Sequence, residues 1–122
     1  MTTNLTIFLV KPRNMSENLV ICFDRLTFDP DDEIFHQIIR GMPGERLKIK
    51  PCPIPRKMKV RMFDGARVLE TDSDGYGEYL TYVSVKQLKR LSIPQNASQK
   101  NKAIKALIDA LPDELIFFLY WH

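Results

Sequence analysis

LIFFLYWH (residues 115–122) is the stretch whose reading decides the fold. Its apolar residues run unbroken from Leu115 to Trp121, so no alternation marks a wet face. A strand covered on both sides belongs in the middle of a sheet rather than at its edge. The two-residue period of a strand places Phe117 and Leu119 on one face and Ile116, Phe118 and Tyr120 on the other. Most of these side chains are expected in the core, with Tyr120 and Trp121 near the strand end as exceptions. The run is far too short to span a bilayer, and no membrane association is expected.

Working outward, QKNKAIKALIDA (99–110) spaces Ala103, Ile104, Leu107 and Ile108 along one helical face, which Leu111 continues, and this helix is expected to cover one face of the final strand. SVKQLKRL (84–91) opens on a serine cap and reads as a short helix. EYLTYVS (78–84) reads as a strand. KMKVRMF (57–63) alternates Lys57, Lys59 and Arg61 with Met58, Val60 and Met62, the pattern of a half-exposed strand with a basic outer face. ARVLE (66–70) can pair with it across a two-residue turn at Asp64–Gly65.

In DPDDEIFHQIIRG (29–41), Asp29 can cap a helix and Pro30 suits its first turn. Asp31, Asp32 and Glu33 complement the helix dipole. Ile34, Phe35, Ile38 and Ile39 form its apolar face, His36 falls off that face, and Gly41 ends it. RLKIK (46–50) allows a short strand, and PCPIP (51–55) is held extended by its prolines. NLTIFLV (4–10) and NLVICF (18–23), separated by KPRNMSE, read as a hairpin. The sum is an α+β domain spanning 1–122: a single mixed or mostly antiparallel sheet of about five or six strands, with two to three helices packed on it.

Composition bounds the function. With 122 residues, 44% hydrophobic and 27% charged, the chain can bury one core. MTTNLTIFLVKPR has neither a basic start before its apolar run nor a small-residue cleavage site after it, so no secretion signal is expected. Cys22 sits in an apolar run and Cys52 between prolines. Free thiols in a cytoplasmic protein fit this usage, although spacing alone leaves a disulfide open. Without a CxxC or a Cys/His cluster, no structural metal site is expected. The net charge of +3 is mild and fits a soluble protein better than a dedicated nucleic-acid binder.

ETDSDGYGEYLTY (70–82) places acids at alternate positions beside glycines and tyrosines. Aligned as a calcium loop on Gly75, Asp72 and Asp74 would fall on ligand positions, but Thr81 would stand where a bidentate acid is required. Turn chemistry explains the local shape: Asp side chains bond the backbone two residues on, and glycines allow positive φ. A turn does not require Asp72, Asp74 and Glu78 together with Tyr76, Tyr79 and Tyr82, a mixture that suits a surface for recognising a protein partner. Elsewhere there is no nucleophile elbow, activated thiol or glycine-rich phosphate loop, so neither enzyme activity, nor a small-molecule substrate, nor a cofactor is expected. The alternative contact is nucleic acid along the basic segment 46–61, with Lys57, Lys59 and Arg61 following phosphates. The same lysines also suit a protected edge strand, so nucleic acid is the lesser reading.

VLETDSDGYGEYLTYVSVKQLKRL (68–91) and NKAIKALIDALPDELIFFLYWH (101–122) together resemble small bacterial immunity proteins of contact-dependent growth inhibition and related polymorphic toxin systems. The resemblance covers about the last half of the chain. It implies a cytoplasmic, non-catalytic inhibitor that binds the C-terminal domain of one cognate toxin, often a nuclease; many members of such systems do so by covering the toxin's active site. Carboxylates at Asp72, Asp74 and Glu78 would then stand in for the phosphates that such a site is built to hold.

Overall fold

The computed structural model of the chain describes residues 3–10, 19–22, 24–38, 49–64 and 67–122. In chain order the elements are β1 (Leu5–Val10), β2 (Leu19–Cys22), β3 (Arg25–Phe28), α1 (Asp32–Phe35), β4 (Cys52–Pro53), β5 (Lys59–Asp64), β6 (Arg67–Thr71), β7 (Thr81–Ser84), α2 (Val85–Leu88), α3 (Gln99–Asp109) and β8 (Ile116–Trp121). The fold is α+β. A five-stranded antiparallel sheet runs β3-β1-β8-β7-β4, with β8 at its centre. Beside it stands a three-stranded sheet, β2-β5-β6, in which β2 and β5 are parallel and β5 and β6 antiparallel.

β8 shows why two layers cover the main sheet. Phe117 and Leu119 point into a core shared with the helices, where Ile34, Phe35, Leu88, Ile104 and Ile108 are buried. Phe118 points the other way, into a second core with Phe8, Val20, Val60 and Met62, against which Ile116 and Tyr120 pack. The unbroken apolar run therefore serves a strand buried on both faces, one of them under α3. β1 is built likewise, with Leu5 and Ile7 in the first core and Phe8 and Val10 in the second.

Local chemistry sets the helix starts. The Ser84 hydroxyl accepts from Gln87 N (3.0 Å) while Gln87 Oε1 accepts from Ser84 N (2.9 Å), a reciprocal cap for α2. Ser98 caps α3 by accepting from Asn101 N (3.1 Å). α1 is a single turn capped by Asp31, not Asp29; Asp31 Oδ1 accepts from Glu33 N and Ile34 N at 3.0 and 3.3 Å. Asp29 is engaged elsewhere. The side-chain amide of buried Asn101 accepts from Asp29 N at 2.8 Å and donates to Asp29 O at 3.0 Å. That pairing fastens α3 to the chain leaving β3 and satisfies an otherwise costly buried amide. Ile34, Phe35 and Ile38 are buried and His36 is exposed, as the helical spacing requires; Ile39 and Gly41 lie outside the described residues.

Several expectations are corrected. β1 and β2 form no hairpin: β1 pairs with β3 and β8, whereas β2 joins β5 in the other sheet. Both strands are apolar, and apolarity says that a strand is covered, not which strand lies beside it. β3 is an additional strand whose alternation, Leu26 and Phe28 toward the helices and Arg25 and Thr27 away, was present in the sequence. The β5–β6 hairpin forms with Asp64 opposite Arg67, so Asp64 belongs to the paired strand rather than to the turn; Gly65 and Ala66 lie outside the described residues, as do 46–48 of RLKIK. On α3, Ile104 and Ile108 are buried, whereas Ala103 and Leu107 are exposed beside the edge strand β3. No helix among the described residues is long and apolar enough to cross a membrane.

Candidate partner-binding groove

Residues 72–80 carry the chain from β6 in one sheet to β7 in the other. The crossing is tight and internally bonded. Asp74 N donates to Glu78 O (2.8 Å), Gly77 N to Asp74 O (3.1 Å) and Leu80 N to Asp72 O (2.9 Å). Asp74 Oδ1 accepts from Tyr76 N (2.8 Å) and Glu78 N (3.1 Å), so its side chain closes the turn by the Asp chemistry expected of such loops. The two glycines do different work. Gly77 has φ +81°, a conformation that residues with a side chain rarely adopt. At Gly75 an added Cβ would lie 2.9 Å from His122 Cβ and 3.0 Å from Trp121 O, because this residue packs on the end of β8. Gly75 N donates to Trp121 O at 2.8 Å.

This docking creates a groove of about 490 Å³. Asp74, Tyr76, Glu78 and Tyr79 bound it on one side, and Trp121, Thr3 and Pro51 complete it. Tyr76 is 49% exposed and Tyr79 55% exposed. The Tyr76 hydroxyl donates to His122 O (3.3 Å) and reaches Thr3 Oγ1 (3.4 Å), which orients its ring. Trp121 meets Phe35 edge to face, with ring centroids 5.3 Å apart, and so is anchored in the helix-side core. Among the described residues, neither Asp74 nor Glu78 forms an ion pair.

The remaining sequence-nominated residues part company. Asp72 faces β5: its Oδ2 accepts from Lys59 Nζ at 3.0 Å and its Oδ1 from Ser73 Oγ at 3.0 Å. The Lys59 hydrogen bond, helped by Ser73, holds its carboxyl below the usual range. Tyr82 is half-buried on the opposite face of β7, packed against the second core and paired across strands with Cys52 and Phe118. Residues 79 and 81 border the groove while 82 points away, the alternation that any strand imposes.

The basic segment is likewise divided. Lys57 stands in the turn before β5 with φ +71°, not on the strand. Lys59 is paired with Asp72, and Arg61 Nε and Nη2 both reach Glu70 Oε1, at 3.2 and 2.9 Å. The outer face of the β5–β6 hairpin is thus a ladder of opposite charges rather than a cationic stripe. Arg46 and Lys48 lie outside the described residues. Both thiols are free, Cys22 buried in the second core and Cys52 exposed.

Thr3, Pro51 and Trp121 were not among the nominated partner residues. Only the tryptophan carried a signal, as an aromatic near the end of the central strand; Thr3 and Pro51 are brought in by tertiary packing. Comparison with protein-family models, curated proteins and solved structures finds no match to this chain.

Proposed function

We propose that the chain is an immunity protein that binds and neutralises a cognate toxin domain through the groove bounded by Asp74, Tyr76, Glu78 and Tyr79. The observation that carries this reading is the pairing of two carboxylates, which form no ion pair among the described residues, with two half-exposed tyrosines around one concavity. Aromatic side chains supply contact area at low entropic cost, and carboxylates set beside them choose a basic partner and speed its approach. A nuclease is the toxin class that these acids fit, because its active site holds phosphates and is rimmed by cations. The resemblance of residues 68–91 and 101–122 to immunity proteins of contact-dependent growth inhibition supports the same role. With net charge +3, complementarity must be local rather than global.

The test starts from the neighbouring genes: a large toxin gene beside this one is expected, and its C-terminal domain is co-expressed with the chain. Co-purification and rescue of growth are expected. Tyr79→Ala and Glu78→Gln should each weaken the complex by about tenfold, since central aromatics and charged hydrogen bonds contribute that much. Full protection by the Tyr79→Ala/Glu78→Gln double variant would move the interface elsewhere. Nucleic acid has less support as a partner, since Lys59 and Arg61 are already matched by Asp72 and Glu70. No salt-sensitive binding of DNA or RNA by the purified protein is expected at micromolar concentration.

A further inference from the structure

A second concavity, of about 310 Å³, lies between the two sheets, on the face of β8 opposite the helices. Its floor comes from the five-stranded sheet, through Thr6 and Phe8 of β1, Thr27 of β3, and Tyr120. Its roof comes from the β5–β6 hairpin, where Leu69 sits opposite Met62 and Arg67 projects from the same face two residues earlier. The two sheets pack fully around Phe118 and part toward the free edges of β3 and β6. Leu69 is accordingly 44% exposed although its cross-strand neighbour Met62 is buried.

The lining has two chemistries. Phe8 and Tyr120 meet edge to face, with centroids 6.3 Å apart, and with Met62 and Leu69 they make an apolar slot. Around it stand Arg25, Arg67 and His122, and none of the described lining residues is acidic. A hydrogen-bonded chain crosses the floor: His122 Nε2 lies 2.8 Å from Thr6 Oγ1, which lies 2.9 Å from Thr27 Oγ1. Each threonine has one proton to give and can accept two. When Nε2 carries hydrogen, His122 donates to Thr6 and Thr6 donates to Thr27, so the proton of Thr27 is free to point into the slot. A negative charge in the slot favours that direction, and each bond polarises the next.

We propose that this inter-sheet slot binds a small organic anion with a flat apolar body, the body lying against Phe8 and Tyr120 and the anionic group meeting Arg67 and the Thr27 hydroxyl. The ligand is bound and not turned over, and the site is separate from the toxin-binding groove. A neutral ligand of the same shape would forgo the charge-assisted bond to Arg67, and a cation would be repelled by that guanidinium.

The probe is 2-naphthoate, with 2-naphthylmethanol as its uncharged counterpart, titrated into the isotope-labelled protein and followed by amide chemical shifts. Saturable shifts are expected at Thr6, Thr27, Leu69 and His122, with the carboxylate binding about tenfold more tightly than the alcohol, the margin of one charge-assisted hydrogen bond. Arg67→Gln should remove that margin and leave alcohol binding unchanged. Thr27→Val, nearly the same in shape, should weaken the carboxylate alone. Arg67 is exposed and Thr27 half-buried on an edge strand, so melting temperatures near wild type are expected and certify the fold. Equal affinity for the two probes, shifts confined to other residues, or carboxylate binding untouched by Arg67→Gln overturns the proposal.

Discussion

Lys59 Nζ lies 3.0 Å from Asp72 Oδ2, which joins the first residue of β5 to the residue that follows β6. The contact ties together one cation of the nucleic-acid reading and one acid of the partner-binding reading, so that each already has a counter-charge. It also makes a titration prediction. The folded-state pKa of Asp72 is lowered, so the pair's contribution to stability is present above the ordinary carboxylate value of 3.8 and is lost as pH falls through the lower folded value. An NMR titration should find the Asp72 midpoint below the usual range, and Lys59→Met should return it upward. Both groups are solvent-exposed enough that the melting temperature at pH 7 should hardly change. An unshifted midpoint in the wild-type protein would show that the pair does not persist in solution.

Gly75 and Gly77 should fail differently when replaced by alanine. At Gly75 the new methyl meets the Cβ of His122 and the backbone of Trp121 and His122, none of which is a flexible side-chain end, so a cost of about 1–3 kcal/mol is expected. At Gly77 the space is open and only the positive φ is penalised, by about 1–2 kcal/mol. Denaturant unfolding measures both. Hydrogen exchange separates them, because only Gly75→Ala should expose the amide that donates to Trp121 O. Equal protection of that amide in both variants would mean that the loop is not seated on β8.

Phe118→Ala removes one of the two phenylalanines buried in the second core, where the two sheets meet around it. A loss of about 3–5 kcal/mol is expected, a large fraction of the stability of a domain this size. Urea unfolding reads the value directly. A loss below about 1 kcal/mol would place Phe118 outside a packed interface.

The thiols should react one at a time. Burial, reinforced by the nearby Asp24 charge, pushes Cys22 up to about 12, so it is a protonated thiol without access to reagent at pH 8. Cys52 is exposed on β4. Titration with an aromatic disulfide reagent should release one equivalent from the native protein and two after denaturation. Two rapid equivalents under native conditions would show that the β2 side of the second core opens readily.

The residue pattern by itself settled what is local. The central place of β8, the division of Phe117 and Phe118 between opposite faces, the serine cap of α2, and the inward Met and Val of β5 all follow from periods and caps within a few residues of one another. Even the turn in residues 72–79 was legible, because Asp74 bonds amides only two and four residues on. What the tertiary structure decided was partnership. That β2 leaves β1 for β5, that Asn101 occupies the backbone of Asp29, that Asp72 belongs to Lys59 while Asp74 and Glu78 line the groove, and that Trp121 completes the tyrosine groove all rest on contacts between distant segments. An apolar or charged residue announces that it needs a partner; which partner it meets is set by the packing of whole sheets, where many small burial terms are satisfied together.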